Sequence, residues 1–254
     1  IVKTLTSFLC IDSNKLDNIV LSGGVAQNIK ACKTIAELPE VSNFWAGPIS
    51  GDGSLGLGAA FLASSDYFQD TVIQDIEDIY LGSSYSNIEN QTAMMQSDID
   101  WNQNDVYENP SAADIANWIA KGNVIARFSG KMEFGQRALG NRSILADPRH
   151  AHSVERINQK IKKRDFWMPF TPSMTIEDAE KLLINSKNIY SPFMTMAFDL
   201  KNEYSKDIPA AIHPADKSVR PQMLKRKNNS EYYDILSAFK ENTGLGVLLN
   251  TSFN

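Results

Sequence analysis

The chain has 254 residues, 43% of them hydrophobic and 22% charged, with a net charge of −5. This composition fits a soluble globular protein with room for one large domain or two ordinary ones. An acidic total does not suggest a nucleic-acid binder, and no run of about 18 apolar residues offers a membrane span.

In chain order, Asn18–Leu21 reads as a short buried strand and Ser22-Gly23-Gly24 as a turn. Val25–Leu38 has helical spacing, closed by Pro39. Asn43–Ile49 includes a second strand-like stretch, Gly51-Asp52-Gly53 is a tight turn, and Leu55–Ala63 is a helix of small residues. Two strand–glycine turn–helix units argue for an α/β layer with a largely parallel sheet over residues 1–64. Residues 65–110 are polar and acidic and read as a linker. It carries one amphipathic helix near Ile88–Met95, capped by Ser86. Ser111 and Asp114 form a capping box for a helix to about Lys121. Asn123–Phe128 is a strand, His152–Ile161 a helix and Phe193–Leu200 a strand. Tyr232–Asn242 is a helix with Gly244 past its end, and Gly246–Asn250 a final strand. Residues 111–254 therefore predict a second α/β or α+β domain.

Charge is unevenly placed. Between Lys121 and Phe170 eleven Lys or Arg stand against four Asp or Glu, which leaves −12 on the remainder. These cations sit among glycines and apolar residues, which favours a local anion site over a solvated helix face. Cys10 and Cys32 show no ligand spacing and read as core residues in a reducing cytoplasm. No signal peptide is visible, and the chain opens on Ile1 rather than Met, which suggests a fragment or a processed product.

Six stretches carry candidate chemistry. In LSGGVAQN, Gly23 and Gly24 let the backbone approach an anion at a helix start, or simply pack a strand against a helix. SGDGSLG matches G-x-G-x-x-G, but Asp52 inside the turn would repel a pyrophosphate. It suits a metal–phosphate complex or a plain helix cap. The strongest stretch runs from Phe128 to Arg149, with three glycines and four cations in 22 residues. There Arg137 and Arg142 offer planar forks for phosphate and Lys131 a point charge. Asn141 and Ser143 suit an amide, and Glu133 could buffer the cations or orient one of them. KKRDFWMPF combines basic and aromatic residues, which a basic helix end followed by a packed loop explains as well. HPADKSVRPQ holds a lone His213, and no complete zinc or serine-hydrolase set appears. LLNTSFN ends a strand in polar side chains, where α/β ligands commonly bind.

Together and in this order, these motifs resemble the NodU/CmcH-type O-carbamoyltransferases from about Asn18 to Asn254. The resemblance implies an α/β fold: the C-terminal part of an actin/sugar-kinase-like (ASKHA) domain followed by a YrdC-like domain. It implies ATP-dependent transfer of a carbamoyl group from carbamoyl phosphate, via carbamoyl adenylate, to a hydroxyl-bearing acceptor. Gly23, Gly24 and Asn28 would lie at ATP. Asp52 would hold a divalent metal, iron or magnesium, whose other ligands are outside this chain. Lys131, Arg137, Arg142, Ser218 and Arg220 would hold carbamoyl phosphate, with Asn141, Ser143, Lys162, Arg164, Asn250 and Ser252 as further contacts. The guanidinium groups of the loop are expected to share a cavity with Arg220. Gln136 departs from the family's usual Pro, and the family's His-x-x-x-His pair belongs upstream of the residues given. A homodimer is left open. The alternative is a YrdC-like RNA-binding or tRNA-modification module whose basic island follows a phosphate backbone.

Overall fold

The computed structural model describes residues 16–68, 76–101, 105–162 and 168–253. Strand β1 (Leu16–Leu21) leads through a glycine turn into helix α1 (Ile29–Ala36), and strand β2 (Val41–Ala46) returns parallel to β1 with Leu21 opposite Ala46. The helix starts later than its spacing predicts. Gly23 holds φ 88° and ψ 177°, a conformation suited to glycine, and Gly24–Gln27 is a single 3-10 turn. Asn28 then caps α1: its Oδ1 accepts from the backbone N–H of Lys30 at 3.2 Å and of Ala31 at 3.1 Å, a cap worth about 1 kcal/mol. β1 is not the buried strand expected, since Val20 is 67% exposed.

Helix α2 (Gly53–Phe68) follows the Gly51–Asp52–Gly53 turn and buries none of its residues. Helix α3 (Asn87–Met95) carries the predicted Ser86 cap, completed as a capping box by Glu89. Helix α4 (Ala112–Ala120) is capped in the same way by Ser111 and Asp114. Beyond it come β3 (Ile125–Phe128), β4 (Arg142–Ala146), α5 (His152–Ile157), β5 (Thr171–Thr175), α6 (Ile176–Leu182) and β6 (Leu183–Ile184). Then follow β7 (Phe198–Leu200), β8 (Ser218–Val219), β9 (Gln222–Leu224), α7 (Ser230–Thr243) and β10 (Val247–Ser252). Residues 158–162 continue α5 as a π-helical turn.

Five strands form one sheet in the order β3-β4-β10-β5-β9. Its pairs are antiparallel except β5–β9. A smaller antiparallel sheet has the order β6-β7-β8. The fold is mixed α/β, and the parallel pairing expected of the first unit holds for β1–β2. Central β10 buries residues on both faces. Leu248 joins Leu145 and Leu224 against α4 and α7, where Ile115, Ile119, Ile235 and Phe239 pack. Leu249 faces Ile157 and Phe170 in another cluster.

The first unit shares a core with the second. Cys32, Ala36, Val41 and Phe44 lie in one cluster with Met174, Leu182, Met196, Phe198, Val219 and Val247. Residues 76–85, within the stretch read as linker, also join the second unit. Ile79 is buried with Leu139, Phe193 and Met194. Its carbonyl accepts from Phe134 N–H at 2.7 Å, and Gly82 N–H reaches the Met132 carbonyl at 2.9 Å.

Candidate functional site

The cationic loop is folded around its acid. It leaves β3 at Phe128 and enters β4 at Arg142, and Ser129 N–H donates to the Asn141 carbonyl at 3.0 Å to close its base. Inside, one oxygen of Glu133 (6% exposed) accepts from the backbone N–H of Leu139 and Asn141, both at 2.8 Å, and of Arg142 at 3.2 Å. Arg127, missed at the sequence level, is also buried. It donates to the Gly140 carbonyl at 2.7 Å, to Asn141 Oδ1 at 2.9 Å and to Glu231 at 2.8 Å. Burial pulls its pKa down and Glu231 opposes the shift. An Arg placed within an otherwise apolar strand was the available signal, because a buried charge needs partners. Gly140, at φ 116°, lies so close to the Tyr232 ring that any Cβ there would be driven into it.

Several of the predicted site residues are engaged within the protein. Arg142 turns into the loop: its guanidinium donates to the carbonyls of Ser129 at 2.7 Å, Asn141 at 3.0 Å, Gly130 at 3.1 Å and Ser83 at 3.3 Å. It also lies 3.7 Å above the Phe128 ring. Asn141 is engaged mainly within the protein. Its Oδ1 accepts from Arg127 and Asn229, and its Nδ2 donates to the Lys131 carbonyl at 2.8 Å. Ser143 is fully buried and accepts from Gly140 N–H at 2.9 Å. Asn250, 1% exposed, pins the loop from the sheet by donating to the Ala138 carbonyl at 3.0 Å. Gln222 and Tyr80 both donate to the Leu139 carbonyl, at 2.8 and 2.7 Å.

Arg137 is different. It is half-buried, burial lowers its pKa, and it has no acceptor or carboxylate partner among the described residues. It lines a small cleft with Gln27, Ser50, Gln136, Met194 and Thr195. Residues flanking the glycine turns of the first unit also line it: Gln27 Nε2 donates to the Ser50 carbonyl at 2.8 Å, and beside them the Ser22 and Ser54 hydroxyls lie 3.3 Å apart. Gly135 sits against Ile49, where a Cβ would come within 3.0 Å. Motifs far apart in sequence thus meet at one place.

Other predicted residues lie elsewhere. Arg220 is half-buried between β8 and β9, and neither it nor Arg142 lines this cleft. Ser218 is buried and donates to Asp216 at 2.7 Å, while Asp216 also pairs with Lys30 of α1. Lys30 foremost, with Ser218 and His213, holds the Asp216 carboxyl well below the usual carboxylate range. Lys162 Nζ reaches Ser252 Oγ at 3.2 Å and the Phe253 carbonyl at 3.1 Å, so these two predicted residues do meet. Arg164 lies outside the described residues. Lys131 is exposed, and Gly23 and Gly24 stand at the turn before Asn28. Asn28's Oδ1 is engaged in capping α1. Asp52 is exposed, and no group of three His, Cys, Asp or Glu among the described residues could hold a metal. Asp52 alone supplies one carboxylate, which does not make a metal centre. Arg149 is spent on Asp147, which is fully buried. Arg127, Arg142 and Arg149 are thus all turned to internal acceptors.

The Carbamoyltransferase C-terminus model matches residues 116–254, more than half of the sequence. The chain belongs to the NodU/CmcH-type carbamoyltransferase family. It is 38% identical over 246 residues to an uncharacterized protein of Methanocaldococcus jannaschii, covering 94% of this chain and 39% of that one. It is 35% identical over 241 residues to nodulation protein NolO of Bradyrhizobium diazoefficiens, covering 94% and 43%. It is 30% identical over 236 residues to the 3'-hydroxymethylcephem-O-carbamoyltransferase of Amycolatopsis lactamdurans, covering 93% and 42%. This carbamoyltransferase-family chain therefore spans about two fifths of the length of these relatives. Among its described residues no helix is long and apolar enough to cross a membrane.

Proposed function

We propose that this chain is the carbamoyl-donor half of an O-carbamoyltransferase and that the Arg137 cleft receives carbamoyl phosphate. The observation that carries the proposal is a half-buried guanidinium with no partner among the described residues, where the cationic loop meets residues beside the glycine turns. A charge drawn out of water costs several kcal/mol unless an opposite charge meets it, and a phosphate supplies that charge. Gln27, Gln136 and Thr195 line the same cleft and offer neutral groups to the carbamoyl end. The name of one relative supports the reading: it is a 3'-hydroxymethylcephem-O-carbamoyltransferase.

The finer mechanism is part of the proposal. ATP enters through the glycine turns, and carbamoyl phosphate, ATP and water yield carbamoyl adenylate, pyrophosphate and phosphate. The acceptor hydroxyl then attacks the carbonyl carbon and AMP leaves. This chain's residues orient the donor and neutralise its charge, which is where positioning and electrostatic stabilisation act. A divalent metal would assist the phosphates when bound. Asp52 is the one predicted ligand within the chain.

Calorimetric titration with carbamoyl phosphate tests the assignment. The unsubstituted protein should bind saturably, and Arg137→Ala should weaken binding about 10- to 100-fold, the loss of one or two charge-assisted hydrogen bonds. Equal binding by both proteins would remove Arg137 from the site.

A further inference from the structure

Glu133 does more than neutralise nearby cations. Its oxygen closes onto the Leu139 N–H at 2.8 Å, which bends residues 133–139 back on themselves. Gly135 at φ 112°, Gln136 and Arg137 lie within that closed turn, and Gln136 and Arg137 reach the cleft. The same oxygen holds Asn141 and Arg142 N–H, so one carboxylate fixes both the turn and the point where the loop enters β4. Arg127 and Arg142 flank it electrostatically, yet each spends its guanidinium on other acceptors. The carboxylate is therefore aimed at backbone, not at a cation.

We infer that Glu133 is a positioning residue for Arg137: it presents that guanidinium to the donor cleft by tethering the backbone around it. The inference rests on the carbamoyl phosphate assignment above. Its physical basis is that a carboxylate accepting three N–H groups is a stiff anchor, whereas an amide at the same place is a weaker acceptor and brings two donors of its own. A guanidinium displaced by about 1 Å loses much of its hold on a small ligand.

A double-mutant cycle read by calorimetric titration with carbamoyl phosphate decides it. Glu133→Gln alone should weaken binding by about tenfold, while in an Arg137→Ala background the same change should cost under about twofold, because the coupled element is already gone. Amide hydrogen exchange should show lost protection at Leu139 and Asn141 with protection kept along β10. Equal losses in both backgrounds would overturn the inference and leave Glu133 a structural residue. Should Glu133→Gln not fold, Glu133→Asp goes through the same cycle, and failure of both to fold likewise overturns it. No binding by the unsubstituted protein defeats the donor-site assignment and this inference together. Binding by that protein with an additive cycle defeats the inference alone.

Discussion

Arg137 and Arg142 occupy one loop and have opposite surroundings. Arg142 is satisfied by four carbonyls, so its removal should damage the loop before it touches any ligand. Among the described residues Arg137 has no such partner. The sequence showed both as cations beside glycines and could not rank them, because the difference arises only after Glu133 has bent the chain. What was legible was the chemistry of the stretch. Gly140 admits the Tyr232 ring, a packing role the sequence reading did not assign to it. Gly140→Ala should therefore destabilise the protein by about 2–4 kcal/mol, combining positive-φ strain with overpacking. Urea unfolding would check this, and a change below about 0.5 kcal/mol would contradict the packing described.

At the scale of elements, local signals performed best. The predicted Ser86 cap and the predicted Ser111–Asp114 capping box are both present, and Gly244 ends α7 at φ 80°. Strand β5 was missed because Pro172 and polar Thr and Ser residues disguise it. Its partner β9 begins pairing only at Ser173, after the proline. Phe193–Leu200 shrank to β7, with Phe193 and Met194 turned into a core cluster instead. Helix α1 is tied down by contacts no local pattern announces. Lys187 donates to the carbonyls of Ala36 at 2.7 Å and of Leu38 and Val41 at 2.6 Å, and Lys33 meets Asp199 at 2.5 Å. Lys30 of the same helix holds Asp216, which in turn holds Ser218. Because the folded Asp216 carboxyl sits below its unfolded value, its stabilisation is complete above about pH 4 and fades as pH falls through the folded pKa. Both partners are partly exposed, so Asp216→Asn should cost at most about 1 kcal/mol at pH 7. That difference should shrink below pH 4. Thermal unfolding at several pH values tests it, and a difference that grows on acidification would be the wrong sign.

For the molecule as a whole, two domains were expected, and the two units turn out to share a core. Phe44 of β2 packs in one cluster with Met196, Phe198 and Val219 of the second unit. Phe44→Ala should cost about 3–4 kcal/mol and lower a single unfolding transition reported alike by probes in both units. Separate transitions would show that the units unfold independently. Composition and motif order pointed to the family but could not show that the glycine turns and the cationic loop face one another. That meeting depends on the shared core, whose members come from the whole length of the chain.

The central proposal is that the carbamoyl donor binds in the Arg137 cleft. A crystal structure of the protein with carbamoyl phosphate tests it most directly. The phosphate should lie within hydrogen-bonding reach of Arg137, between Gln27 and Gln136, with Arg142 still turned to its carbonyls. A donor bound elsewhere, with the Arg137 guanidinium untouched, would contradict it.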